Sequence, residues 1–364
     1  MTVNEVALIL EKLAPLDYAE DFDNVGLLIG DKNTKVKGIL VTLDTLENVV
    51  DEAIEKNCNL IISFHPIIFK GLKKITGKNY VERVVLKAIQ NNINIYSIHT
   101  ALDNCNEGVN AKICEVLELT NTKILIPQKG TIKKLTFYAP IAESQHLKEK
   151  LFAVGAGNMG NYSECSFSVE GIGSYKASEL ANPTLGEKGI THREEEALIS
   201  MTFPKHLEHK VIRVLLQNHS YEEVAYEVIT LENTDQNIGM GRIGELKTAM
   251  GETEFLGMLK KKMHTPVIRH SGLLKKPIKK VAVLGGSGAF SISAAKAAGA
   301  DILVTADLKY HQFYEAEGQL IIADIGHFET EQFTKNLLVE YLMKKIPNFA
   351  IRLSESITNP IKYF

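Results

Sequence analysis

The chain has 364 residues, of which 45% are hydrophobic and 23% charged, and a formal net charge of −3. One hydrophobic core stops growing at roughly 250 to 300 residues, so the length predicts two domains, and the composition is that of a chain that folds almost throughout. So even a charge balance argues against a nucleic-acid footprint, which needs clustered Lys and Arg to release condensed counterions.

The opening MTVNEVALILEKLAPLDYAEDFD has no basic stretch followed by an apolar core and turns acidic early, so it does not read as a signal peptide. No segment approaches the roughly 20 apolar residues that cross a bilayer, and a soluble, cytoplasmic protein without a membrane partner is expected. Val3, Val6, Ile9, Leu10 and Leu13 fall at helical spacing and predict an amphipathic helix ended by Pro15. After the loop DFDNVGLLIGD, the β-rich run Gly38 to Leu43 feeds a helix with Asp44 or Thr45 at its cap. The unit recurs: NLIISF ends at His65, YVERVVLKAIQNN is helical, and INIYSI ends at His99. Such alternation predicts an α/β fold, a βαβ-type core with a mostly parallel sheet.

The pattern changes after Thr120. From about Lys133 to Glu245, LTFYAPI, CSFSVEGIGSY, EALISMTF and AYEVITL are separated by helical EKLFAVGA and HLEHKVIRVLLQN, a β-α-β-β-α-β order that suggests an α+β, ferredoxin-like unit. The first pattern then returns with KKVAVLGGSGAF, SISAAKAAG, ADILVTA and QLIIADI, the last leading into GHFETEQFTKNLLVEYLMKK. The α/β domain is therefore expected to be interrupted by the middle unit. No short repeat or low-complexity segment stands out. Cys58, Cys105, Cys114 and Cys165 show no CxxC spacing, which favours reduced, mostly structural thiols over a zinc knuckle or disulfide frame.

His65, His99 and His327 each follow a predicted strand, and in open parallel sheets that edge is where ligands bind. Asp103 lies four residues after His99, and Glu331 four after His327, so each pair shares one face if the chain turns helical there. One histidine after a strand is most often structural; three, two with carboxylates in step, point to a divalent-metal site, with a satisfied polar network as the alternative. The candidate ligands are His65, Asp103, His327 and Glu331. Imidazole with carboxylate suits zinc, manganese or iron(II), one ion or two, and disfavours copper(I) and iron–sulfur chemistry.

The motifs DFDNVGLLIGD, LIISFHPIIF, IHTALD, VLGGSGAF and DIGHFETEQF resemble those of the Nif-three-like family, whose bacterial members carry the name GTP cyclohydrolase 1 type 2 homologue. The resemblance implies a dinuclear metal centre at the strand ends and a hexameric ring. It also implies a PII-like domain at residues 126–248, inserted between the halves 1–125 and 249–364, with GIGSYKASELANPTLGEKG as its glycine-rich loop. Carried over, His65 and Asp103 would hold one metal, His327 would help hold the second, and Glu331 would bridge. His99 would be a further ligand or would orient one. Many members have a second histidine just before the position of His65; this chain has Phe64.

A cyclohydrolase would direct a metal-generated hydroxide at C8 of the guanine ring. His311, in DLKYHQF, follows another strand end and would then be a proton donor or acceptor, against the plainer reading of a surface residue. VLGGSGAF lacks both GxGxxG and GxxxxGK[ST] spacing, so a tight, closely packed turn competes with a phosphate contact. The basic stretch KKKMHTPVIRHSGLLKKPIKK, with His264 and His270, reads as a solvated linker or as an electropositive rim. His192, His206, His209 and His219 form no metal spacing, so the middle domain is expected to regulate, assemble or gate. The leading expectation is a metal-dependent hydrolase of a nucleotide or other small anionic ligand, possible catalytic residues being His99 and His311. Its rivals are a non-catalytic metal-binding, regulatory or metal-delivery scaffold and a metal-dependent phosphoesterase.

Overall fold

The computed structural model describes residues 1–364, which divide into two units: 1–127 with 236–364, and 128–235. In the first unit, strands Ile39–Thr42, Leu60–Ser63 and Asn94–Ser97 run parallel at the centre of a five-stranded sheet. Ile351–Leu353 joins Ile39–Thr42 in parallel, and Gly26–Ile29 closes the far edge antiparallel to Asn94–Ser97. A second, six-stranded sheet has Ile278–Ser287, Ile302–Ala306 and Ile321–Asp324 in parallel. Arg269–His270 flanks it antiparallel on one side, Gly239–Met250 and then Thr120–Pro127 on the other. The one mostly parallel sheet expected from the sequence is thus two mixed sheets. Alternating strands and helices reveal crossovers but not which crossovers share a sheet.

The two sheets repeat one spatial order. Gly26–Ile29, Asn94–Ser97, Leu60–Ser63, Ile39–Thr42 in the first corresponds to Arg269–His270, Ile321–Asp324, Ile302–Ala306, Ile278–Ser287 in the second. Side chains alternate across each strand. Ile39, Val41, Leu60 and Ile62 share one core with Val281, Val283, Ile302 and Val304, together with helices Val3–Leu13, Val109–Val116, Glu252–Lys262 and Thr334–Lys345. Leu40, Ile61 and Ile95 point the other way, onto helices Glu47–Glu55 and Tyr80–Gln90. Burial on both faces explains why these strands read as continuous apolar runs.

Helix Val3–Leu13 opens on a capping box between Thr2 and Glu5 and ends ahead of Pro15. Helix Glu47–Glu55 starts from Leu46 rather than from Asp44 or Thr45, and makes no side-chain cap. The Asp44 carboxylate is engaged elsewhere, as described below.

The second unit is one antiparallel sheet, in the order Phe167–Lys176, Thr191–Pro204, Ile132–Pro140, Tyr226–Thr230. With helices Ile141–Ala153 and Glu208–Asn218 the chain order is β-α-β-β-α-β. Leu147, Leu151, Val211 and Leu215 of the helices pack on Leu135, Phe137, Ile199 and Phe203 of the sheet. The expected end of this unit at residue 248 is corrected to 235, because Gly239–Met250 pairs with Ile278–Ser287 and with Thr120–Pro127 in the first unit. No helix is long and apolar enough to cross a membrane.

Candidate metal centre

Parallel neighbours bring their carboxyl ends side by side, and that places the polar residues following them within reach of one another. Asp44 follows Ile39–Thr42 and His65 follows the adjacent Leu60–Ser63; Asp44 Oδ1 lies 2.8 Å from His65 Nδ1. Asp307 follows Ile302–Ala306 and His327 follows the adjacent Ile321–Asp324, and Asp307 Oδ2 lies 2.7 Å from His327 Nδ1. His99, after Asn94–Ser97, has Asp23 Oδ1 2.9 Å from its Nδ1. Asp23 is itself fixed by the Thr100 backbone N–H at 3.0 Å and by the Thr100 hydroxyl. All three histidines are therefore held at Nδ1 by an aspartate, which fixes the ring and leaves Nε2 as the nitrogen that could meet an ion.

Two five-residue helices, His99–Asp103 and His327–Glu331, begin on a site histidine and end on a site carboxylate. Glu331 Oε2 lies 3.1 Å from His327 Nε2 and 3.1 Å from His65 Nε2. One ligand atom each from His65, His327 and Glu331 falls within 4.8 Å of the others, so this trio could hold a metal ion. The His65 ring stands 5.1 Å from that of His99 and 5.4 Å from that of His327, centroid to centroid. Asp103 lines the same cavity as His99, His327 and Glu331, a space of about 220 Å³.

The donor set fits a cation. Asp103 Oδ1 is buried without a hydrogen-bond partner, an arrangement that costs about 1–3 kcal/mol unless something else satisfies it, and the buried Glu331 Oε2 faces the Nε2 atoms of both His65 and His327. Burial opposes a charge on His65, but Asp44 and Glu331 outweigh it and raise its pKa to about 10. Burial likewise opposes a charge on His327, and Asp307 and Glu331 raise it to about 11. Burial works against ionised Glu331 too, yet the two histidines hold it down to about 2. Asp103 is pushed well up by burial and by the Glu331 charge. The carboxylates of this cluster favour positive charge beside them.

VLGGSGAF forms one wall. Gly285 and Gly286 lie just before the end of strand Ile278–Ser287, and their N–H groups donate to Asn110 Oδ1 at 3.0 Å and Thr330 Oγ1 at 2.9 Å. Gly286 has φ +69°, and a Cβ there would come within 2.4 Å of Glu331 Oε1 and 3.3 Å of His327 Nε2. Close approach is thus what this glycine provides. Phe22 and Phe290, both largely exposed, also line the cavity.

His311 is not brought to this cluster. It sits exposed on the 3₁₀ turn Tyr310–Ala316, its ring against those of Tyr310 and Tyr314. His264 packs on Phe333, and His270 lies exposed on its short edge strand. In the second unit His192 pairs with Glu194 and His219 with the Tyr138 carbonyl. The four cysteines are free. Phe64 is wholly buried, its ring 4.9 Å from that of His65 and 5.4 Å from that of His99. Sequence reasoning overlooked Asp23, Asp44 and Asp307 as partners of the histidines. A signal was present: VTLD and VTAD each put an aspartate just past a strand end, the position that singled out the histidines.

A two-sheet α/β unit with a histidine and carboxylate cluster at its strand ends defines the class. The family model of Duf34/NIF3 (NGG1p interacting factor 3) matches residues 1–360, and the chain belongs to that family. It is 38% identical over 369 residues to a protein of Bacillus subtilis (strain 168) named GTP cyclohydrolase 1 type 2 homolog, covering 99% of this chain and 98% of that one. A homologue of the same name in Staphylococcus epidermidis is 37% identical, covering 100% of both chains. The solved structure of a Bacillus cereus protein related to NIF3 matches with a TM-score of 0.85 at 36% identity, covering 100% of this chain and 99% of that one. A Staphylococcus aureus structure matches at 0.79 and 31%, with 100% and 99% covered.

Proposed function

We propose that the chain is a divalent-metal-dependent hydrolase acting on a nucleotide-like substrate, in line with the name its relatives carry. The observation that supports it is the set of three imidazoles fixed at Nδ1 by aspartates, two of them meeting at the buried Glu331 Oε2, with the buried and partnerless Asp103 Oδ1 in the same cluster. His65, His327 and Glu331 would hold the ion, with Asp103 beside them, and the nitrogen and oxygen donors suit zinc, manganese or iron(II). When bound, such an ion supplies Lewis acidity and a water acidic enough to be hydroxide at neutral pH. Asp44 and Asp307 keep the ligand rings in place. His99, on the cavity wall with its Nδ1 held by Asp23, is the residue placed to move a proton through Nε2. Exposed Phe22 and Phe290 offer flat apolar surface to a heterocycle.

The test is formate release from GTP by protein loaded in turn with zinc, manganese and iron(II). Absence of turnover with each metal removes the cyclohydrolase reading, and hydrolysis of a generic phosphodiester in its place would select a phosphoesterase. Metal analysis of Glu331→Ala checks the shared premise: the variant is expected to lose most of its metal, and unchanged content sinks the site.

Phe64 favours a second reading, a single-metal binding or regulatory protein, because it puts a buried apolar ring where many family members have a further histidine. Metal stoichiometry separates the two, one ion per chain favouring the second. The β-α-β-β-α-β order of residues 128–235 supports a PII-like module that regulates or assembles. The hexameric ring is tested by the mass of the protein in solution.

A further inference from the structure

The C-terminal segment touches the metal centre from a side that the strand-end motifs do not reveal. Strand Ile351–Leu353 pairs in parallel with Ile39–Thr42, Leu353 opposite Val41, so the chain beyond it runs out past the same sheet edge that carries Asp44. Glu52 takes hold of it there. Its carboxylate accepts from the Ser354 hydroxyl at 2.7 Å, the Glu355 N–H at 2.9 Å and the Ser356 N–H at 3.0 Å. Two residues past Ser356, the buried Thr358 hydroxyl donates to Asp44 Oδ2 at 2.9 Å, while Oδ1 of the same carboxylate holds His65 Nδ1 at 2.8 Å. Asn359 Nδ2 then donates to Oε1 of the buried Glu329 at 3.2 Å, two residues past His327. A Cβ on Gly326 would meet Glu329 Oε2 at 2.2 Å and the Tyr363 hydroxyl at 3.0 Å, so the segment closes against the turn that presents His327.

We propose that residues 354–363 are a strap that sets the metal centre, with Thr358 a positioning residue acting on the His65 imidazole through Asp44. This rests on the metal-site reading above. A second hydrogen bond on the other oxygen helps fix the rotamer of a carboxylate whose first oxygen is on the imidazole. Thr358 is the side chain that holds it, and it reaches Asp44 from 314 residues away in sequence. A group hydrogen-bonded directly to a ligand, as Asp44 is to His65, is worth roughly 10- to 100-fold in metal affinity, and Thr358, one bond further out, carries a smaller share of it.

The experiment uses cobalt(II) on the full chain and compares Thr358→Val, Thr358→Ser, a chain ended after Ile357 and Glu331→Ala. Ending at Ile357 leaves the Glu52 clamp on residues 354–356 intact, so the fold keeps its anchor. Competition against a chromophoric chelator reads affinity, and the visible ligand-field bands of bound cobalt read geometry. Thr358→Val and the shortened chain are expected to bind more weakly, by up to about 10-fold, with altered bands, and Thr358→Ser, which restores the hydroxyl, to match the parent. If Thr358→Val binds and absorbs as the parent does while Glu331→Ala loses cobalt, the strap proposal is wrong and the site reading stands. If Glu331→Ala also keeps its cobalt, both fall.

Discussion

His65, His99 and His327 are conspicuous as histidines after strands, but what would equip them to bind an ion is the aspartate behind each ring. An imidazole free to turn offers either nitrogen; one held at Nδ1 by Asp44, Asp23 or Asp307 offers Nε2 in a fixed direction. Asp307→Asn keeps the shape and removes the charge. It is expected to weaken metal binding roughly 10- to 100-fold, read by chelator competition, and parental affinity would mean His327 needs no such support. Gly286 is a second single-residue requirement. An alanine there would sit at φ +69°, which costs a residue with a Cβ ~1–2 kcal/mol, and its methyl would occupy space held by Glu331 Oε1. Gly286→Ala is therefore expected to lose metal by elemental analysis and to lower the melting temperature together.

Helix Glu47–Glu55 illustrates how one element serves the fold and, at a distance, the site. Val49, Val50 and Ala53 pack under the first sheet, while Glu52 on the same helix captures the residues after strand Ile351–Leu353. Burial works against ionised Glu52, but Lys56, Ser354 and Ser356 and the Glu355 N–H prevail and lower its pKa from 4.5 to about 2. A carboxylate depressed in the folded state stabilises fully above its unfolded value, and that contribution fades as pH falls from about 4.5 towards 2. Glu52→Gln should be less stable than the parent at pH 6, with the gap narrowing across that acid range in thermal melts. A gap independent of pH would show that Glu52 works by packing alone. Phe64, last before His65, is a core residue in a functional stretch. Phe64→Ala should cost about 3–5 kcal/mol in chemical denaturation, as large aromatic truncations do, besides freeing the rings of His65 and His99.

The chain carries its second unit at a hairpin position of the first. Thr120–Pro127 and Gly239–Met250 pair antiparallel with Pro127 opposite Gly239, so residues 128–235 leave and return at adjacent points of one sheet edge. Ends that close together are where insertion costs the host least. Replacing residues 128–235 with a short turn should leave a folded first unit that still binds metal, checked by circular dichroism and metal titration. Failure to fold would mean that the first unit depends on the second. The doubled strand order within the first unit also explains why the site is divided between distant stretches. His65 and Asp103 come from the first sheet's strand ends, His327 and Glu331 from the second's, and the shared core of Val41, Ile62, Val283 and Val304 joins the two sheets.

What the sequence determined by itself is local in origin. Helical periodicity in Val3 to Leu13, apolar runs ending at His65 and His327, and the four-residue steps from His99 to Asp103 and from His327 to Glu331 follow from backbone geometry within a few residues. The motifs were specific enough to carry the family. Only the tertiary structure decided that the strands form two sheets, that the second unit ends at 235, and that Thr358 reaches Asp44. It also decided that Asp23, Asp44 and Asp307 stand behind the histidines, that Glu331 Oε2 meets both His65 and His327, and that Asp103 Oδ1 is buried without a partner. Each of these depends on which strand ends become neighbours, and that pairing is chosen by burial of the whole core rather than by any segment alone.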